Sequence, residues 1–331
     1  MKFYARFALL RFFSSSIIHA GSYQSTGYDL TCSNLDNLSD QECFWFSMFK
    51  PSKCGTKTNK CQKLVVFFSG AEMKCKDNIQ SESGTYWDLA RGYADKGYIF
   101  ACAQLFSDSD GSDLTPYHRE AARVNRLVTQ ITRRMRALDG PWDGKYFLLS
   151  GVSHGASSPV IAMKHEGFDA SSDWNGTHKT GACFFDGISD IYYTDAWADS
   201  TATCIDSRNR NFCSRYDRGN NCASLESKDR DKDSISSLDH AKYLAKPGDF
   251  AILNWKIIEC GSSLQSTPWL SKCSLVRDTV PQAPQVNLCD RIKSDGSHTC
   301  EFSSFPIVPH LECVDTYTNE ACSGWFDQLI K

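Results

Sequence analysis

The feature that most restricts the fold is a repeated alternation of short apolar runs with amphipathic segments. Leu64 to Phe68, Tyr98 to Ala103, Tyr146 to Leu149, Ala182 to Phe185 and Trp255 to Ile258 are each apolar or small nearly throughout. A strand apolar at successive positions is buried on both faces, which is the condition of a strand in a parallel sheet covered by helices. Two helices are predicted among these runs. One covers Thr85 to Lys96 and stops at Gly97; the next begins after Thr115-Pro116, a capping residue followed by a proline suited to the first turn. In that second helix Val124, Leu127, Val128, Ile131, Met135 and Leu138 recur at spacings of three and four, leaving the arginines between them to water. Asp139-Gly140-Pro141 ends it. Helix-linked buried strands predict an α/β fold with a mostly parallel central sheet flanked by helices.

Within 331 residues there are sixteen cysteines, too many for an ordinary cytosolic enzyme and without the two paired C-x₂-C clusters of a zinc site. They predict disulfides, whose connectivity spacing alone does not give; a reduced intracellular protein is the alternative. Lys2, Arg6 and the apolar run Phe7 to Ile18, ending near Ala20-Gly21 and interrupted by Arg11, have the form of a signal peptide over 1–20. Export to the cell exterior or periplasm is the expectation. Residues 21–331 then form one domain, with a cysteine-bearing N-terminal region (21–63) and a polar insertion (187–246) containing Cys204, Cys213 and Cys222. A formal net charge of −3 carries no signature of nucleic-acid binding. No stretch after the N-terminus has the roughly 18 apolar residues of a membrane span.

Gly151-Val152-Ser153-His154-Gly155 lies between the run Tyr146–Leu149 and the small-residue segment Ala156 to Met163. The order is strand, sharp turn, helix. A serine that must act as a nucleophile needs such a turn to lift its hydroxyl above the sheet, and glycines on either side allow backbone segments to approach. With this context the sequence from about Leu64 to the C-terminus resembles the α/β-hydrolase superfamily, whose members place Ser, then Asp or Glu, then His along the chain. The first 60 residues and the insertion lie outside the resemblance.

The resemblance implies a serine hydrolase that cleaves carboxylic esters through an acyl-enzyme on Ser153, with no cofactor and no metal. The implied acid is Asp278, in a late loop before Val280-Pro281; Asp186 and Glu259, at the fourth and fifth apolar runs, are its rivals. The implied base is His310, beyond the last strand and before a terminal helix carrying Trp325, Phe326 and Leu329. His298 competes but precedes the Thr299–Phe302 strand, at the opposite end of the sheet. The implied oxyanion donors are the backbone N–H groups of His154 and of Ala71 in the loop Ser69-Gly70-Ala71-Glu72. The expected partner is a small or polymeric ester. Peptidase and acyltransferase chemistry use the same triad, and an inactive extracellular binding protein could keep the fold.

Three weaker signals are read as structural. The acidic loop Asp108 to Asp113 departs from calcium-loop spacing and reads as a solvated turn. Asn37-Leu38-Ser39 and Asn175-Gly176-Thr177 are glycosylation sequons that matter only on an exported chain. Tyr192, Tyr193 and Trp197 are candidates for a substrate pocket, though aromatic residues more often pack in cores.

Overall fold

The structure is a computed structural model describing residues 24–30, 44–70, 75, 81, 83–104, 117–153, 155–156, 159–160, 179–186, 252–260, 288–290, 292–294, 296–305, 308, 313 and 319–331. Its strands are β1 (Gln24–Leu30), β2 (Phe44–Lys50), β3 (Cys61–Phe68), β4 (Tyr98–Gln104), β5 (Trp142–Val152), β6 (Lys179–Phe185), β7 (Asn254–Cys260) and β8 (Thr299–Phe305). Helix α1 (Thr85–Asp95) precedes β4 and α2 (Tyr117–Arg136) precedes β5; a π-helical turn, Asn319–Gly324, leads into α3 (Trp325–Leu329).

The eight strands form one sheet in the order β1-β2-β4-β3-β5-β6-β7-β8. Pairings β1/β2 and β2/β4 are antiparallel. The five pairings from β4/β3 through β7/β8 are parallel, as the apolar runs predict. Consecutive residues of β3 enter opposite cores. Leu64, Val66 and Phe68 pack with Val124, Leu127, Val128, Ile131 and Met135 of α2. Val65 and Phe67 pack with Tyr86, Leu89 and Tyr93 of α1 and with Trp325 and Phe326 of α3. The result is a three-layer stack whose central side chains are buried, each large one contributing roughly 1.5–3 kcal/mol by leaving water.

One feature lies beyond the sequence-based expectation and one differs from it. The N-terminal region is part of the sheet, because β1 and β2 add two antiparallel strands to the β4 edge. β2 is apolar except for Ser47 and Lys50, and Ser47, buried between Phe46 and Met48, interrupts the continuous run that marks the central strands. Leu138 is also not part of the α2 stripe. The helix stops at Arg136, the Gly140 N–H turns back to the Ala137 carbonyl at 2.8 Å, and Leu138 is left 84% exposed. A Cβ on Gly140 would lie 2.4 Å from the Met135 carbonyl oxygen, so this tight reversal requires glycine.

Disulfides join Cys54–Cys61, Cys75–Cys102, Cys183–Cys322, Cys260–Cys313 and Cys289–Cys300. No cysteine is free among the described residues. Cys183–Cys322 ties β6 to the π-helical turn before α3, across a separation of 139 residues. The C-terminal helix is held a second time by Asp327, whose Oδ1 accepts from Lys63 Nζ at 2.7 Å and from the Tyr98 hydroxyl at 2.8 Å. Among the described residues no helix is long and apolar enough to cross a membrane.

Candidate active site

β5 delivers Ser153 to the carboxyl end of the sheet, and the backbone there is constrained from three sides. Ser153 is half-buried at φ 54°, in the left-handed region that a side chain other than glycine rarely occupies. Its N–H donates to the Phe185 carbonyl at the end of β6 (2.9 Å), and its own carbonyl accepts from the Ala156 N–H (3.0 Å). Residues 155–156 and 159–160 are helical, and Ala156 and Val160 insert into the α2-side core. The predicted strand, turn and helix are therefore present.

The flanking glycines are sterically required. A Cβ on Gly151 would lie 2.1 Å from the Gly155 carbonyl oxygen. A Cβ on Gly155 would lie 2.3 Å from the carbonyl oxygens of both Phe68 and Ser69. The helix start is thus pressed against the end of β3. The loop leaving β3 also lies beside the serine, since a Cβ on Gly70 would sit 3.6 Å from Ser153 Cβ. That loop is fixed by Ser69 N–H donating to the Ala103 carbonyl (3.2 Å) and Gly70 N–H donating to the Tyr86 hydroxyl (3.1 Å). Behind the turn, Ser150 of β5 and Tyr93 of α1 are both buried, and burial pushes the Tyr93 phenol far above its ordinary value, an effect the Ser150 hydroxyl opposes.

Asp186 stands one strand away, directly after β6. It is fully buried and, at φ 49°, shares with Ser153 the left-handed conformation; they are the two such non-glycine residues among those described. Its N–H donates to the Ile258 carbonyl (2.7 Å), and its Oδ1 accepts from the Cys260 N–H (2.9 Å). The carboxylate comes close to the sulfurs of Cys260 and Cys313, but these are bonded to each other, so they offer no thiolate pair to a metal ion. Glu259 lies within β7 rather than after it; its buried carboxylate accepts from the Ser304 hydroxyl of β8. His298 precedes β8, so the seven residues of that strand, roughly 20 Å, separate it from the carboxyl end where Ser153 lies.

Of the predicted site residues, the structure places Ser153 and Asp186 at the same end of adjacent strands, with the Ser69-Gly70 segment against the serine. Asp278, His310, His154 and Ala71 lie outside the described residues, as do the leader over 1–20, the insertion 187–246, the loop Asp108–Asp113, both sequons and Tyr192, Tyr193 and Trp197. Sequence reasoning did not find the interaction of Asp186 with Cys260, which joins residues 74 apart. An aspartate followed by Gly187 at the end of an apolar run is the available signal for a tight turn, but it does not identify the acceptor's partner.

No protein-family model matches the sequence, and no curated protein is similar to it in sequence. Solved structures are similar in fold. Acylaminoacyl peptidase from Pyrococcus horikoshii aligns over 94% of this chain with TM-score 0.57 and 11% identity, but this chain spans only 42% of that protein's length. Esterase Est22, solved with p-nitrophenol, aligns over 94% of this chain and 80% of its own, with TM-score 0.57 and 14% identity. Est1E from Butyrivibrio proteoclasticus aligns over 89% and 98%, with TM-score 0.51 and 12% identity. These likenesses and the strand order together show that the chain has the α/β-hydrolase fold.

Proposed function

We propose that this chain is an exported carboxylic-ester hydrolase in which Ser153 is the nucleophile, His310 the general base and Asp278 the acid that orients it. The observation that carries the reading is the conformation of Ser153: left-handed, between a buried strand and a helix, with glycines on both sides where backbone leaves no room for a Cβ. Strain of this kind costs on the order of 1–3 kcal/mol and is retained where geometry serves a function. Esterases share the fold, and the five disulfides among the described residues fit an oxidising compartment.

In this mechanism the Ser153 oxygen attacks the ester carbonyl carbon while His310 takes the hydroxyl proton. Charge collecting on the carbonyl oxygen is met by the N–H groups of His154 and Ala71. The proximity of Gly70 to Ser153 supports the second donor, because it brings the loop that continues into Ala71 beside the nucleophile. Collapse expels the alcohol, which receives the proton from His310. Water, activated by the same imidazole, then releases the acid and restores Ser153.

A fluorophosphonate probe tests the assignment, since it reacts with an activated serine. Folded parent protein is expected to be labelled at Ser153 and to hydrolyse p-nitrophenyl esters faster than acyl-peptide substrates. Ser153→Ala is expected to lose labelling and turnover while keeping the parent circular dichroism. Full turnover in that variant refutes the mechanism.

A further inference from the structure

The carboxyl ends of β5, β6 and β7 are joined by a single chain of contacts that starts at the nucleophile. Ser153 N–H donates to Phe185 O, the last residue of β6; the next residue, Asp186, donates its N–H to Ile258 O of β7 and accepts the Cys260 N–H on Oδ1. Cys260, the last residue of β7, is bonded to Cys313, with Cα atoms 5.9 Å apart. Cys313 follows His310 by three residues. On the other side of His310, Val308 is buried and its N–H donates to Phe305 O, the last residue of β8, at 3.1 Å. Val308 and Cys313, which flank His310 in the sequence, are therefore fastened, Val308 to the end of β8 and Cys313 to the end of β7.

The backbone demand at position 186 is a left-handed turn, which glycine meets at no steric cost. Aspartate meets it less easily but adds an acceptor, and that acceptor takes the N–H of Cys260 just beyond the last ladder pair between β6 and β7, Phe185 with Ile258, while β7 is still paired with β8. An exposed turn has no use for such a carboxylate. A fully buried one costs free energy unless it is hydrogen-bonded, so its presence marks a contact that holds something in place.

We propose that Asp186 is a positioning residue that fixes the end of β7 and, through the Cys260–Cys313 disulfide, holds the segment carrying His310 in register with the Ser153 turn. This rests on the assignment of Ser153 and His310 given above. It separates Asp186 from the acid of the triad: a triad acid needs its negative charge to support the imidazolium, whereas an anchor needs only an oxygen that accepts an N–H and a residue that tolerates a left-handed turn. Asparagine supplies both.

The test uses the full chain with its disulfides intact and compares Asp186→Ala, Asp186→Asn and Cys313→Ser with the parent. Two readouts are taken: kcat and KM on p-nitrophenyl butyrate, and backbone hydrogen exchange across residues 305–313. Asp186→Ala and Cys313→Ser are expected to lower kcat by about 10–100-fold with KM changed less than about threefold, as for a base displaced by about 1 Å, and to raise exchange in the segment. Asp186→Asn is expected to keep at least about a third of parent kcat and parent-like exchange. Asp186→Ala with parent kcat and exchange overturns the proposal. So does Asp186→Asn falling by about 10⁴, which makes Asp186 the triad acid. If Asp186→Ala does not fold, the contrast between Cys313→Ser and Asp186→Asn decides. If the parent neither hydrolyses esters nor takes the fluorophosphonate, the proposed function fails on its own, and exchange still decides whether Asp186 anchors the segment.

Discussion

Replacing Gly155 by alanine should remove activity before it removes the fold. The added Cβ would lie 2.3 Å from two carbonyl oxygens, those of Phe68 and Ser69, and 2.6 Å from the Phe68 carbonyl carbon. These approaches are about 1 Å short of ordinary non-bonded contact. All three atoms belong to backbone at the end of β3, a strand paired on both sides, so β3 does not move aside as a side chain would. The start of the elbow helix must retreat instead, carrying the turn with it. Overpacking of this kind costs about 1–3 kcal/mol. A displacement of about 1 Å between the serine and the loop after β3 costs about 10²-fold in rate.

Gly97→Ala is the control. Gly97 has φ 82°, and a Cβ added there would meet nothing within 4 Å, so alanine bears backbone strain of about 1–2 kcal/mol and no clash. Urea unfolding should thus report comparable losses of stability for the two variants, while the rate of fluorophosphonate labelling should fall about 10²-fold in Gly155→Ala alone. Labelling of Gly155→Ala at the parent rate, with a stability loss below about 1 kcal/mol, refutes the claim that this contact sets the nucleophile's position.

Asp278→Asn should lower kcat by about 10⁴ while leaving the melting curve near that of the parent, because an amide stabilises the wrong imidazole tautomer; turnover assays with circular dichroism check both halves. Alkaline pH should destabilise the fold through two buried phenols. Burial holds Tyr93 and Tyr98 far above their ordinary value, and the Asp327 carboxylate beside Tyr98 adds to it. The unfolded chain releases these protons near pH 10, so this stability is present below about pH 10 and is lost as pH rises towards the folded values, at up to about 1.4 kcal/mol per pH unit for each group. Phenolate absorbance after a jump to about pH 11 should show Tyr93 and Tyr98 silent until the chain unfolds; ionisation of all thirteen tyrosines in folded protein would contradict this.

What was legible in the sequence follows from how local each signal is. The parallel core was readable because Leu64–Phe68 and Ala182–Phe185 are buried on both faces and so are apolar throughout, a pattern complete within each run. The Ser153 turn was readable because its requirements, two glycines and a strand before a helix, fall within about fifteen residues. β1, Gln-Ser-Thr-Gly-Tyr-Asp-Leu, has no such run, since an edge strand with one partner does not need two apolar faces. The disulfide partners were not readable at all: Cys183 and Cys322 meet only because β6 is next to β5 and the C-terminal helix folds back beneath it.

The same distinction explains why the two left-handed residues sit together. A strained turn persists only where its surroundings over-determine it. At the end of β5, the turn is held laterally by Phe185 O, from below by Ala156 in the core, and on the far side by the β3 carbonyls that exclude any Cβ at Gly155. Ala156 is local to the turn, whereas Phe185 and the β3 carbonyls belong to neighbouring strands brought there by parallel pairing. Asp186 repeats the arrangement one strand on, with Ile258 O and the Cys260 N–H as its supports. Each turn is thus held by the end of the next strand, Ser153 by β6 and Asp186 by β7. If Asp186 anchors the end of β7 as proposed, variants there that lose the acceptor act through backbone that touches no substrate, which is why their effect belongs in kcat rather than KM.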